Sequence, residues 1–127
     1  MNDRFKFRFW VDLEDEPAKM VYPEDYEYWN YDWDMNDLFD GLPEYKPMQC
    51  TGLKDKNGKL IYEGDILARV KHHNRIVEWD RGSFLLRPLG FEAKGVYRIH
   101  GFLRDGKAEV IGNIYEHKHL LEGRRME

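Results

Sequence analysis

"TGLKDKNGKLIYEGDIL", residues 51 to 67, is the stretch on which the fold turns. Asn57-Gly58 and Gly64-Asp65 are turn signals on either side of the short apolar run Leu60-Ile61-Tyr62. A phosphate-holding loop would need closely spaced glycines between a strand and a helix, followed in the triphosphate version by a Lys and a hydroxyl. This stretch lacks the second near glycine and the hydroxyl, and a strand-like run follows it. The signals therefore build structure. Asn57-Gly58 is expected to supply the positive φ angles of a tight hairpin turn. Gly64 lets the chain swing before Asp65, so that Ile66, Ala68 and Val70 face one side of a strand.

Downstream the pattern stays β. "DILARVK" (65–71) and "RIVEWD" (75–80) flank the polar link "HHN", and "DRG" leads into "SFLLRPL" (83–89). "GVYRIHGFL" (95–103) and "AEVIGNIYE" (108–116) flank "RDGK", where Asp105-Gly106 predicts a hairpin turn. Short strands joined by tight turns predict a small closed barrel or roll of the SH3 type, opening at about Gln49, because closure removes exposed edges. Gly112 joins Gly58 and Gly64 as a position where backbone shape is expected to demand glycine. The tail "HKHLLEGRRME" predicts one helical turn stopped at Gly123.

Upstream, "RFKFRFWV" (4–11) alternates Phe5, Phe7 and Phe9 with Arg4, Lys6 and Arg8, the period of a strand with one buried face. "DLEDEPAK" reads as a loop and "KMVYP" (19–23) as the return strand of a hairpin. Residues 24–45 then hold eight acids and seven aromatics with no Lys or Arg. Within them "DWDMNDLFDG" suits one or two helical turns, with Asp32 or Asp34 as cap. The organisation expected is thus mainly β: an N-terminal hairpin with an acidic aromatic arm over 1–48, and the barrel over 49–127.

Composition bounds the function. The chain has 127 residues, 42% of them apolar, 35% charged and 15% aromatic, which describes one folded domain of ordinary size. Its one cysteine, Cys50, excludes an internal disulfide and a thiolate cluster within one chain, and points to a reducing compartment. With no apolar leader and no run of about 18 apolar residues, no export and no membrane partner are expected, and a cytoplasmic location follows. The net charge of −4 conceals an asymmetry: residues 1–45 carry thirteen Asp/Glu against four Lys/Arg, and residues 46–127 eleven against sixteen. Such polarity favours docking of one half on the other, within a chain or between copies.

A family resemblance is carried by "KFRFW" (6–10), "KMVYP" (19–23), "TGLKDKNGKLIYEGDIL" (51–67), "VEWDRGSF" (77–84) and "EVIGNIYE" (109–116). In order and spacing these resemble the YopX-like family of bacteriophage and prophage proteins. The resemblance implies a cytoplasmic protein of a bacterial host cell with an SH3-type barrel in its C-terminal part. It implies no catalytic residues. The acidic insert "LEDEP" (13–17) and the long arm 24–45 depart from the family's pattern.

Chemistry is sparse. His72 and His73 point apart in a strand and could chelate together only from a turn, and His117 and His119, which share a face if extended, lack a thiolate or an evident third ligand, so no metal and no cofactor are expected. Ser83, Thr51 and Cys50 have no base evident in the sequence, and the carboxylate pairs Glu14/Asp15 and Asp32/Asp34 lie in wet segments, so no catalytic residue is assigned and an enzyme is not expected. Binding is the better reading. Its candidate residues are Trp29, Tyr31, Trp33, Asp32, Asp34 and Asp37 on the arm, and Arg69 and Arg87 on the barrel. Self-association through the arm is favoured by the opposite charges. Nucleic acid on the basic half is the alternative, opposed by the acidic pI of about 5.7. A further alternative is mimicry of nucleic acid by the arm toward a basic phage or host protein.

Overall fold

In the computed structural model, the structure describes residues 6–22, 45–89 and 95–122. The chain divides into two compact units, Met1–Cys50 and Thr51–Glu127. The residues singled out on the arm, Trp29, Tyr31, Asp32, Trp33, Asp34 and Asp37, lie outside the described residues, as does Gly123.

In the first unit, β1 (Phe7–Val11) pairs antiparallel with β2 (Lys19–Val21) on one side and with the beginning of β3 (Tyr45–Lys54) on the other. Phe9 faces Val21 on β2 and Pro47 on β3. Phe9, Val11 and Val21 form a small core, with Phe7 and Leu13 packed against it. The expected alternation holds for Phe7 and Phe9, but Arg8 is also buried, at 1% exposure. Its strand is paired on both edges and both its faces are covered. The Arg8 guanidinium lies 5.9 Å from the centre of the Tyr22 ring, whose face suits a desolvated cation.

The second unit starts within β3. It continues through β4 (Leu60–Tyr62), β5 (Asp65–Ala68), β6 (Arg75–Asp80), β7 (Ser83–Pro88) and β8 (Tyr97–Arg98). A short helix α1 (Ile99–Leu103), strand β9 (Glu109–Asn113) and a 3-10 turn (Lys118–Glu122) follow. The sheet order is β8-β7-β6-β5-β9, antiparallel throughout. The sequence's barrel-or-roll expectation resolves to a curled half-barrel with β8 and β9 at its edges. Ile61, Leu67, Val77, Leu86, Ile99, Phe102 and Ala108 make its core, with Leu53, Phe84, Leu103 and Val110 packed against them. Each large buried side chain contributes about 1.5–3 kcal/mol of transfer free energy, so this cluster outweighs the hydrogen bonds of strands this short.

Local chemistry corrects several expectations. At Asn57-Gly58 only Gly58 has a positive φ, +80°. Asp55 makes the turn instead: its Oδ1 accepts the N–H groups of Asn57 and Lys59, and its carbonyl accepts that of Gly58. A carboxylate holding its own turn lets Asn57 stay at ordinary φ. The two-residue turn with positive φ at both centres is Arg81-Gly82, at +50° and +91°, between the paired Asp80 and Ser83.

Gly64 has φ +87°. It donates to the Val77 carbonyl and accepts from Ile114, while Asp65 accepts the Tyr62 N–H at 2.7 Å. Val70 does not continue the β5 face. It lies past the strand at 84% exposure, and Ile66, Leu67 and Ala68 are all buried because both faces of β5 are covered.

The hairpin expected around Asp105-Gly106 is not formed. Ile99, Phe102 and Leu103 have the i, i+3, i+4 spacing of a helical face, and α1 buries Ile99 and Phe102. Gly106, at φ +70°, donates to the Leu103 carbonyl and ends it. Gly112 has no positive φ. It sits where the β5–β9 register shifts, and a Cβ there would lie 2.7 Å from the His117 ring.

Candidate anion-binding surface

The connection from β5 to β6, residues 69–74, positions the site. Its first turn is closed by the His72 N–H donating to the Arg69 carbonyl at 3.0 Å, with Lys71 held at φ +68°. A left-handed lysine costs about 1 kcal/mol. Beside this turn lies a groove of about 200 Å³ within the second unit. Lys56, Arg69, Lys71 and Lys107 line it, with Glu109 as its one carboxylate and Ala68, Val70 and Ile111 as its apolar walls.

Two of these cations are spoken for. Lys56 pairs with Glu109 at 3.0 Å. Arg69 pairs with Asp105 through Nη2, and its Nη1 donates to the Phe102 carbonyl at 3.2 Å. Lys71 and Lys107 have no carboxylate partner among the described residues. The groove therefore keeps a positive charge next to an exposed Val70, a combination suited to a partner carrying both negative and apolar groups.

Behind the turn stands Arg75, at the start of β6. Its guanidinium lies 4.1 Å from the centre of the Tyr97 ring and 4.2 Å from that of Phe102. Arg69 approaches the same Phe102 ring at 5.9 Å, and His72 meets it edge-on at 5.7 Å. Burial lowers the pKa of Arg75, Tyr97 acts in the opposite sense, and the like charge of Arg69 adds to the lowering. His72 is also shifted down, first by burial and then by Arg75 and Arg69, with Asp105 opposing.

Of the barrel residues proposed from sequence, Arg69 is thus in the groove wall. Arg87 is elsewhere, exposed on β7, with Nε donating to both oxygens of Glu78 at 2.9 and 3.0 Å. That carboxylate raises its pKa. Trp79 is 48% exposed, its ring set edge-on to Phe84 at 4.9 Å on the paired strand.

The Thr51 hydroxyl donates to the Ile61 carbonyl at 2.8 Å and accepts the Leu53 N–H. Cys50 is buried. The His117 and His119 rings lie 6.2 Å apart, and His117 Nδ1 accepts the Asn113 N–H at 3.1 Å. Among the described residues no group of three or more His, Cys, Asp or Glu is placed to hold a metal ion, and no helix is long and apolar enough to cross a membrane.

Sequence reasoning missed the Arg75–Tyr97–Phe102 stack. Nothing in the spacing of Arg75, Tyr97 and Phe102 joins them, because the β7–β8 pairing and α1 bring the rings over. It also missed Asp55, which the "D-x-N-G" spacing of an Asx turn signals.

Among solved structures the chain is similar to protein EF1440 from Enterococcus faecalis, with 25% identity and a TM-score of 0.52 over 92% of this chain and 97% of that one. No curated protein matches it. The family model described as YopX protein matches residues 6–122, through both units and the whole of the basic groove, and the chain belongs to the YopX family.

Proposed function

We propose that the protein is a non-catalytic binding module that assembles with copies of itself, the basic groove of one C-terminal unit receiving the acidic aromatic segment 24–45 of another. The observation that carries this reading is that Lys71 and Lys107, beside exposed Val70, have no carboxylate partner among the described residues. The segment 24–45 has the complementary chemistry, eight carboxylates and seven rings without one cation. Charge complementarity of this kind steers association and sets its salt dependence. The setting we propose is phage or prophage biology in the bacterial cytoplasm.

Size-exclusion chromatography with light scattering, at low and high salt and with a short single-stranded DNA, tests it. The expected result is an oligomer that dissociates as salt rises, ignores DNA, and is weakened by Lys71→Glu with Lys107→Glu or by Trp29, Tyr31 and Trp33 to Ala. A monomer at every salt concentration overturns the reading. A monomer that shifts with DNA at low salt assigns the groove to nucleic acid instead.

A further inference from the structure

A guanidinium packed between two rings has its plane fixed before any ligand arrives, so little freedom remains to be lost on binding. Arg75 is in this state between Tyr97 and Phe102. Its Nε is enclosed and has no hydrogen-bond partner among the described residues, while the residue as a whole keeps part of its surface in solvent. No carboxylate pairs with it among the described residues, and the neighbouring Asp105 is taken by Arg69. Holding an unpaired cation partly out of water is costly, and an arriving anion would offset that cost.

We propose that Arg75 is an oxoanion-recognition residue, whose terminal nitrogens take a carboxylate or phosphate group of the ligand drawn in by the lysine groove. Arg69 joins the two places, since it lines the groove and shares the Phe102 ring with Arg75. The lysines supply a diffuse field, and Arg75 supplies a fixed donor fork that reads planar or tetrahedral oxygens. The inference rests on the binding reading above for its partner and not for its chemistry.

The Arg75 Nε–H resonance, which the two nearby rings should displace, is the reporter. Inorganic phosphate, acetate and a peptide of residues 24–45 are titrated in turn into the full-length protein, and peptide affinity is measured for Arg75→Lys and Tyr97→Ala. The expected result is a saturable shift with phosphate and with the peptide, and a loss of peptide affinity of about tenfold in Arg75→Lys, where the charge stays but the fork is gone. Tyr97→Ala keeps the guanidinium and loosens it, and a smaller loss is expected there. Acetate moving the signal more than phosphate marks a carboxylate reader; the reverse marks a phosphate reader. If phosphate moves the signal and the peptide does not bind, self-assembly fails and the role of Arg75 stands. A signal unmoved by all three probes overturns it, as does Arg75→Lys lowering the melting temperature while peptide affinity stays unchanged.

Discussion

The carboxylate of Asp55 accepts the backbone N–H of Val110 at 2.9 Å, joining positions 55 residues apart in the sequence. The other oxygen of the same carboxylate holds the Asn57 and Lys59 N–H groups, and the Lys56 N–H donates to the Ala108 carbonyl. One buried side chain thus fixes a turn and fastens it to β9.

Asp55→Asn is expected to destabilise the second unit by about 2–3 kcal/mol, because the amide keeps one acceptor and turns a donor toward an N–H group that then has no partner. Urea denaturation followed by tryptophan fluorescence measures this. A midpoint within error of the parent would remove Asp55 from this role.

The same carboxylate gives stability an acid limb. Burial alone would raise its pKa, but the N–H groups of Val110, Lys59 and Asn57, with the charge of Lys59, more than offset that and bring it below the ordinary aspartate value of 3.8. A carboxyl depressed in the folded state contributes stability above its unfolded pKa, and that contribution is lost as pH falls through the folded value. The gap in stability between the parent and Asp55→Asn should therefore narrow below about pH 4. Denaturation curves at pH 6 and at successively lower pH would show a constant gap if the idea is wrong.

Gly112→Ala should cost about 1–3 kcal/mol. The added carbon meets the His117 ring at 2.7 Å, and that ring is held by its hydrogen bond from Asn113. The pair Gly112→Ala with His117→Ala should recover much of the loss, since the obstruction is then gone. A double variant no more stable than the single one would point to the backbone at the register shift instead.

Arg81→Asn should stabilise the protein by about 0.5 kcal/mol, because asparagine tolerates the φ of +50° better than arginine does. The side chain itself contributes little: it is almost fully exposed and 4.0 Å from Asp80. A fall in the melting temperature would show that Arg81 has a role beyond its backbone.

Much of the fold was legible because it rests on local rules. Phe7 and Phe9 announce β1 by their period of two, and "DRGSF" announces the β6–β7 turn by its glycine. What was not legible depends on distant partners. Residues 95–103 carry β-branched and aromatic residues that suit a strand, and only the i, i+3, i+4 spacing of Ile99, Phe102 and Leu103 argued for α1. Arg8 reads as a surface cation, and only its 1% exposure shows that the second face of β1 is covered there. The lysine groove was legible in composition alone, since Lys56, Lys71 and Lys107 come from three separate turns.

The place of β9 in the sheet bears on how the protein is made. β5 lies between β6 and β9, yet β9 is the last of this sheet's described strands to leave the ribosome. Until then Ile66 and Leu67, both fully buried in the finished fold, border an open apolar edge of the kind that pairs with other chains. The hazardous interval therefore lasts from the emergence of β5 until β9 is made. A chain stopped just before Glu109 should collect in the insoluble fraction, whereas one stopped after Glu122 should stay soluble; equal solubility would show that β5 is protected by other means while it waits.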